Sequence, residues 1–231
     1  MSVPSSTPAR QIQETPGPHA EGLPHIPDHR LLRRIGAGSY GSVWLAQTIM
    51  GAYRAVKVVH RGDFEDDRPF EREFRGIQKF EPISRQHDSQ VDILHVGRTA
   101  DGFYYVMEVA DDERSGQRID PAHYTPRTLA SELKQRGRLP FADCVQIGLA
   151  LTTALGHLHK HRLIHRDIKP ANVIFVNGVP KLADIGLVTE ATATRSFVGT
   201  EGFIPPEGPG TAQADIYSLG KVLYEMATGR D

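Results

Sequence analysis

Side chains suited to phosphoryl transfer lie close together in the stretch His165-Arg166-Asp167-Ile168-Lys169-Pro170-Ala171-Asn172. Asp167 is a carboxylate that can accept a hydroxyl proton, Lys169 can neutralise phosphate charge, and Asn172 offers a side-chain oxygen to a metal ion. Asp184 follows a predicted strand and can reach the same metal. Magnesium prefers hard oxygen ligands together with phosphate oxygens, and one or two protein groups suffice. This spacing predicts chemistry that uses Mg-ATP on a hydroxyl acceptor.

Two features nearer the N-terminus fit the same chemistry. The run Gly36-Ala37-Gly38-Ser39-Tyr40-Gly41-Ser42-Val43 can bring backbone N–H groups close to phosphates. A strand follows these glycines, which disfavours a dinucleotide-binding fold, although a plain glycine-rich hairpin explains the run equally well. Lys57 lies among apolar residues and needs an anionic partner, because a buried unpaired ammonium is costly. Glu73 is the first candidate and Glu71 the second; the alternative is a solvated lysine on an edge strand.

Periodicity and turn signals predict the elements that must position these residues. We expect strands over residues 31–35, 42–48, 54–60, 93–96 and 103–109, and a helix over 69–80. We expect a linker over 111–124, helices over 128–135, 141–160 and 214–228, a hairpin over 173–183, and a long loop over 184–207. The hairpin turn is Asn177-Gly178, because both residues accept positive φ. The chain therefore divides into a small antiparallel sheet with one helix and a mainly helical second half.

Composition narrows the class of protein further. A length of 231 residues allows one large domain or two small lobes, and residues 1–25 have the Pro-, Ser- and Thr-rich composition of a disordered tail. A net charge of −1 gives no global attraction to nucleic acid or to an anionic membrane. The single cysteine, Cys144, excludes an internal disulfide. Because we find no signal peptide, and because the apolar stretch 144–158 is too short and mixed to span a bilayer, we expect a cytoplasmic protein.

Together these motifs resemble the eukaryotic-like (Hanks-type) serine/threonine protein kinases, particularly their bacterial branch. The resemblance covers about residues 31–231 and rests on six separated motifs in the family's order. It implies a two-lobed α+β fold, with an N-lobe and hinge over 26–110 and a C-lobe over 111–231 that lacks its last helices. It also implies phosphorylation of Ser/Thr hydroxyls on a protein substrate, with ATP and Mg²⁺ as cofactors and with neither a nucleic-acid partner nor a membrane segment in this chain.

The resemblance assigns nucleotide binding to the glycine loop, the third strand and the hinge. The residues are Gly36, Ala37, Gly38, Gly41, Val43, Ala55, Lys57, Met107, Glu108 and Ala110. Ala55 would cover the adenine, Lys57 would hold the α- and β-phosphates, and Glu73 would pair with Lys57. The backbone of the hinge would meet the adenine edge.

The resemblance also assigns the catalytic roles. Asp167 would be the base that orients the acceptor hydroxyl, and Lys169 would contact the γ-phosphate. Asn172 and Asp184 would hold magnesium next to the nucleotide. The pair Lys169-Pro170 is typical of Ser/Thr rather than Tyr acceptors. Thr200 would bond toward Asp167 and Lys169, while Asp215 would brace the catalytic loop.

Control of activity is implied by Arg166, which in the family clamps a phosphorylated loop. Thr189, Thr192, Thr194 and Ser196 are the candidate acceptors, so we hypothesise autophosphorylation within 189–196. The alternative is that Ser and Thr are merely common in loops. The family's D-F-G motif is Asp184-Ile185-Gly186 here.

Rival hypotheses remain for the whole chain. A catalytically silent ATP-binding, pseudokinase-like module would follow if the incomplete C-lobe prevented activity. A small-molecule kinase shares the fold, but typically lacks Lys169 and the Gly-Thr element. Two other patterns favour structural roles. Asp111 or Asp112 could approach the ribose of a nucleotide, but a solvated acidic turn is the favoured interpretation. The histidines within 157–165 lack the carboxylate or cysteine expected beside them in a metal site.

Overall fold

A five-stranded sheet forms the first half of the protein in a computed structural model that describes residues 24–37, 41–64, 66–184, 189–190, 200 and 202–230. The strands are β1 (His29–Ala37), β2 (Ser42–Thr48), β3 (Tyr53–His60), β4 (Ile93–Arg98) and β5 (Gly102–Met107). They lie in the order β1-β2-β3-β5-β4, and every neighbouring pair is antiparallel. The predicted sheet is therefore confirmed. Strand β5 ends before its predicted limit, at the point where the Glu108 N–H donates to the Asp92 carbonyl oxygen.

Helix α1 (Asp67–Ser84) packs against this sheet and completes the sheet lobe. The helix begins before the predicted Pro69, because the Asp66 carboxylate accepts a hydrogen bond from the Arg68 N–H at 2.7 Å and caps the first turn. Its buried face carries Phe70 and Phe74, whose rings lie 5.3 and 5.0 Å from the ring of Phe103 on β5. These aromatic contacts fix the helix over the sheet.

The helical lobe follows the hinge. Its elements are α2 (Leu129–Arg136), α3 (Phe141–Lys160), β6 (Leu163–Ile164), β7 (Val173–Val176), β8 (Val179–Leu182), β9 (Thr189–Glu190) and α4 (Ala212–Thr228). The β7–β8 hairpin turns as predicted, with φ of 52° at Asn177 and 78° at Gly178. Gly229 ends α4 with φ of 69°. The prediction of a long loop over 184–207 was wrong at Thr189–Glu190, which form β9 and pair with β6.

Helix α3 forms the centre of the helical lobe. Within the described residues it is the one helix that is long and apolar enough to cross a membrane, by length and composition only. Its buried residues include Leu151, Ala154 and Leu158, and the helix packs against α4, β6 and β8. This packing is typical of a core helix.

The linker after the hinge differs from its predicted character. Asp111 and Asp112 were expected in a solvated turn, but both are buried. The Asp111 carboxylate accepts hydrogen bonds from the N–H groups of Asn177 (2.9 Å) and Gly178 (2.8 Å) in the β7–β8 turn. The expectation failed because backbone donors compensate for the burial of both charges, and those that bond to Asp111 lie far along the chain.

Asp112 holds the linker itself together. Its Oδ1 accepts hydrogen bonds from the N–H groups of Arg114 and Ser115, and its Oδ2 accepts one from the N–H of Thr125, each at 2.9 Å. Burial raises the pKa of Asp112, but the hydrogen bonds from three backbone N–H groups outweigh that effect and lower the pKa to about 2. The ionised carboxylate therefore stabilises the fold above the ordinary carboxyl pKa, and this contribution is lost as the pH falls toward 2.

We expect Asp112→Ala to lower the free energy of unfolding by roughly 1–3 kcal/mol at pH 7, because it leaves backbone donors without their acceptor. The difference from wild type should shrink between about pH 4 and pH 2, where the wild-type carboxylate becomes protonated. Urea unfolding across this pH range measures both effects. Asp63→Asn, at an exposed position, is the control. An equal loss of stability in both variants would contradict the assignment.

Candidate functional site

A cavity of about 410 Å³ lies between the sheet lobe and the helical lobe. The predicted site residues that line it are Gly36, Ala37, Val43, Ala55, Lys57, Met107, Glu108, Ala110, Asp167, Lys169, Asn172 and Asp184. The cavity is also lined by residues that were not predicted as site residues: Ile35, Tyr105, Tyr124, Pro126, Thr128, Ala171, Ile174 and Ala183. For Ile35 and Ala183 a signal existed, since each directly precedes a predicted motif. Tyr124 and Pro126 lie in a linker without periodicity, so no pattern indicated them.

Two predicted residues that the structure describes, Glu73 and Gly41, do not line this cavity. Gly38 lies outside the described residues, and Glu73 contacts Lys57. Gly41 has φ of 106°, and a Cβ atom added there would lie 2.2 Å from the Val58 carbonyl oxygen. Only glycine therefore permits β2 to approach β3 this closely.

A buried charge cluster occupies one end of the cavity. Lys57 Nζ lies 2.8 Å from Asp184 Oδ1 and 3.4 Å from Glu73 Oε1. Burial alone would lower the pKa of Lys57, but the surrounding tyrosine and carboxylate side chains raise it well above its ordinary value. For Glu73 the balance runs the other way: burial raises its pKa to about 7 despite the lysine beside it. Lys57 is thus a fully charged cation, and its partner Glu73 titrates near neutrality.

A second group of polar side chains converges at the loop before β7. Thr200 Oγ1 donates a hydrogen bond to Asp167 Oδ1 at 2.7 Å and accepts one from Lys169 Nζ at 2.8 Å. Lys169 Nζ also lies 2.9 Å from Asp167 Oδ2. Asn172 Nδ2 donates to that same carboxylate oxygen at 2.8 Å. The side chains of Lys169 and Asn172 and the Thr200 hydroxyl group therefore lie together around the Asp167 carboxylate.

Asp215 on α4 holds the backbone of this loop. Its carboxylate is buried and accepts hydrogen bonds from the N–H groups of His165 and Arg166, each at 2.8 Å. His159 Nε2 lies at 2.8 Å from the same carboxylate. Arg166 has φ of 71°, a conformation that costs energy for a residue with a side chain. Asp215 therefore stabilises a strained turn immediately before Asp167.

The hinge is fixed by an ion pair between the two lobes. Lys181 Nζ on β8 lies 2.6 Å from Glu108 Oε2, and the Asp92 N–H donates to the same oxygen at 2.9 Å. The Glu108 side chain is thereby held by β8 and by the segment before β4. The hinge meets the cavity next to this ion pair.

Several predicted features fall outside the described residues. These are Ile185, Gly186, Thr192, Thr194, Ser196, Gly199 and positions 1–23 of the predicted tail. Of the residues that are described, no group of three or more His, Cys, Asp or Glu side chains is arranged to hold a metal ion. Asn172 and Asp184 are instead a small set of hard oxygen donors, the kind that shares an ion with phosphate oxygens.

Comparison with known proteins identifies the family. Residues 29–231 match the protein kinase domain, so the chain belongs to the protein kinase domain family, as its motifs indicated. Serine/threonine-protein kinase PrkC of Bacillus subtilis is 31% identical over 212 residues, which cover 87% of this chain and 30% of that protein. Serine/threonine-protein kinase PknA of Corynebacterium glutamicum is 32% identical over 223 residues, covering 88% of this chain and 43% of that protein. The chain thus spans less than half the length of these relatives.

We expect Glu73→Gln to stabilise the ligand-free protein at pH 8 by roughly 1–3 kcal/mol, and to change its stability little near pH 4. Since the folded-state pKa of Glu73 is raised to about 7, its protonated form stabilises the fold, and that contribution is lost as the pH rises through 7. Glutamine imitates the protonated form at every pH, while Asp184 remains beside Lys57.

Urea unfolding at pH 4, 6 and 8 measures this effect. Glu71→Gln is the matched control, because Glu71 lies on the same helix and was the second candidate partner of Lys57. The same pH dependence in both variants would show that burial at position 73 is not its cause.

Proposed function

We propose that this chain transfers the γ-phosphoryl group of ATP to serine or threonine hydroxyls of proteins, with Asp167 as the base. The contacts of Thr200 carry this proposal. Its hydroxyl group lies 2.7 Å from Asp167 Oδ1 and 2.8 Å from Lys169 Nζ. A hydroxyl held between a carboxylate and a lysine has the environment that an acceptor hydroxyl needs. An acceptor serine or threonine would be bound in the same surroundings.

The cavity supports ATP as the nucleotide. Apolar residues line it from both lobes, among them Val43 and Ala55 from the sheet and Ile174 and Ala183 from the helical lobe. Such a lining suits a flat aromatic base. Lys57 supplies a buried positive charge deeper in the cavity, where a phosphate would replace Asp184 as its partner.

The donor set supports Mg²⁺ as the metal. Asp184 supplies carboxylate oxygens, and Asn172 supplies its Oδ1 because its Nδ2 is already committed to Asp167. Hard oxygen donors of this kind are what Mg²⁺ requires, and the bound ion would neutralise charge on the phosphates. The lobes meet at the hinge after Ala110, which we propose as the boundary between them.

The proposed reaction depends mainly on positioning and on charge. The acceptor oxygen forms a bond to the γ-phosphorus, the bond from that phosphorus to the bridging oxygen breaks, and ADP leaves. Asp167 orients the acceptor hydroxyl and takes its proton. Lys169 offsets the negative charge on the transferred group, and Lys57 holds the remaining phosphates.

A second cavity supports a polypeptide as the acceptor. It has a volume of about 530 Å³ and shares Lys169 and Ala171 with the first cavity. Its lining consists of Ala130, Lys169, Pro170, Ala171, Gly202, Phe203, Lys221 and Glu225. The residues that flank an acceptor hydroxyl at Asp167 would have room here. The pair Lys169-Pro170 further favours Ser/Thr acceptors by family resemblance.

We expect Asp167→Asn to lower the rate of phosphate transfer roughly 100- to 10,000-fold while leaving nucleotide affinity unchanged, because only the base is lost. Transfer from labelled ATP to peptides that contain Ser and Thr measures the rate, and Asp63→Asn, at an exposed position, is the control. An unchanged rate of phosphate transfer in Asp167→Asn would contradict the proposed mechanism. Nucleotide binding without transfer by the wild-type chain would support the catalytically silent alternative.

Autophosphorylation within residues 189–196 belongs to the same proposal. Mapping phosphate on the wild-type chain after incubation with ATP tests it. An active sample without phosphate in that segment would reject this part of the proposal.

We expect Ala130→Arg to raise the KM for a peptide acceptor several-fold without changing the KM for ATP, because Ala130 lines the second cavity and not the first. Steady-state kinetics with each substrate varied in turn measures both constants. Ala142→Arg adds the same charge at an exposed position near the start of α3 and is the control. Equal effects of the two substitutions would show that the second cavity does not bind the acceptor.

A further inference from the structure

Tyr105 places a phenol group beside the charge cluster of the cavity. It lies on β5 directly opposite Lys57 on β3, so the two side chains share one face of the sheet. Lys57 Nζ lies 5.9 Å from the centre of the Tyr105 ring. The side chain is fully buried yet lines the cavity, and its hydroxyl lies beside Lys57 without making a well-formed hydrogen bond to any described residue.

A buried hydroxyl without a partner destabilises the protein that contains it. Buried tyrosine hydroxyls usually find a hydrogen-bond partner, and phenylalanine would fill the same space without the desolvation cost. The Glu73 carboxylate is in a similar condition, since neither of its oxygens makes a well-formed hydrogen bond to a described residue and Oε1 lies 3.4 Å from Lys57 Nζ. Unsatisfied groups on neighbouring elements point to a second arrangement in which they are satisfied.

The nucleotide-bound state supplies that arrangement. In the structure, Asp184 is the shortest contact of Lys57, at 2.8 Å. If Asp184 turns to a metal ion, as the proposed function requires, Lys57 exchanges this acceptor for a nucleotide phosphate. The ammonium has three N–H groups to place, and the Tyr105 oxygen is a neutral acceptor already facing it. The Tyr105 O–H group can then donate to the Glu73 carboxylate.

We propose that Tyr105 is a positioning residue whose hydroxyl holds Lys57 and Glu73 in place while a nucleotide is bound. The proposal rests on the proposed function, because it needs Lys57 to hold nucleotide phosphates. Tyr105 acts through Lys57 and is not itself a catalytic residue. Its hydroxyl serves the bound state and adds nothing to the stability of the empty one.

Tyr105→Phe tests whether the Tyr105 hydroxyl acts only when a nucleotide is bound. We expect the melting temperature of the ligand-free variant to equal or exceed that of wild type, whereas its affinity for Mg-ADP falls about tenfold, the effect of one lost hydrogen bond to a charged group. The KM for ATP should rise with it, and the KM for a peptide acceptor should not. Tyr104→Phe is the matched control. Tyr104 directly precedes Tyr105 and is also buried, but its side chain lies on the opposite face of the sheet, with its ring near His95.

A double-mutant cycle shows whether Tyr105 acts through the lysine. In a Lys57→Met background, Tyr105→Phe should have no further effect on Mg-ADP affinity. A full tenfold effect in that background would overturn the proposal, as would an affinity within twofold of wild type for Tyr105→Phe alone. A lower melting temperature for ligand-free Tyr105→Phe would point to packing and overturn it too. If the wild-type chain does not bind Mg-ADP, the proposed function itself falls, and the role of Tyr105 falls with it.

Discussion

The buried carboxylate of Asp215 is the contact on which the arrangement of the site depends. An ionised group removed from water must be compensated by hydrogen bonds, and here the donors are the backbone N–H groups of His165 and Arg166 and the ring of His159. Because the two backbone donors lie just before Asp167, these hydrogen bonds also fix where the Asp167 side chain points. Helix α4 thus determines the geometry of a loop some fifty residues earlier.

A second set of charges fixes the chain around the hinge. Lys181 meets Glu108 across the hinge, and Asp111 accepts the N–H groups of Asn177 and Gly178 at the β7–β8 turn. Both contacts connect the chain around the hinge to one small hairpin of the helical lobe. The sheet lobe is consequently anchored close to its point of attachment, while the cavity between the lobes stays open to ligands.

Local signals made much of this structure predictable. Alternating apolar residues gave the sheet, Asn177-Gly178 gave a hairpin turn, and the spacing of Asp167, Lys169 and Asn172 placed one site along the chain. The features that were missed depend on partners distant in sequence. The burial of Asp111 could not be predicted because its hydrogen-bond donors lie more than sixty positions away in the sequence. The pairing of β6 with β9 involves two residues of each strand, which is too short to produce a periodic pattern.

Gly36 and Gly41 of the glycine-rich run over residues 36–43 are not equivalent, although the motif gives them the same letter. At Gly36 an added methyl group would lie 3.6 Å from the Val43 side chain, an ordinary contact that alanine tolerates. At Gly41 the same methyl group would collide with the backbone of β3. Natural variation at Gly36 can therefore be harmless, whereas variation at Gly41 must move β2 away from β3. In a distant relative, the absence of a glycine at the position of Gly41 would be the clearer sign that this part of the chain has a different conformation.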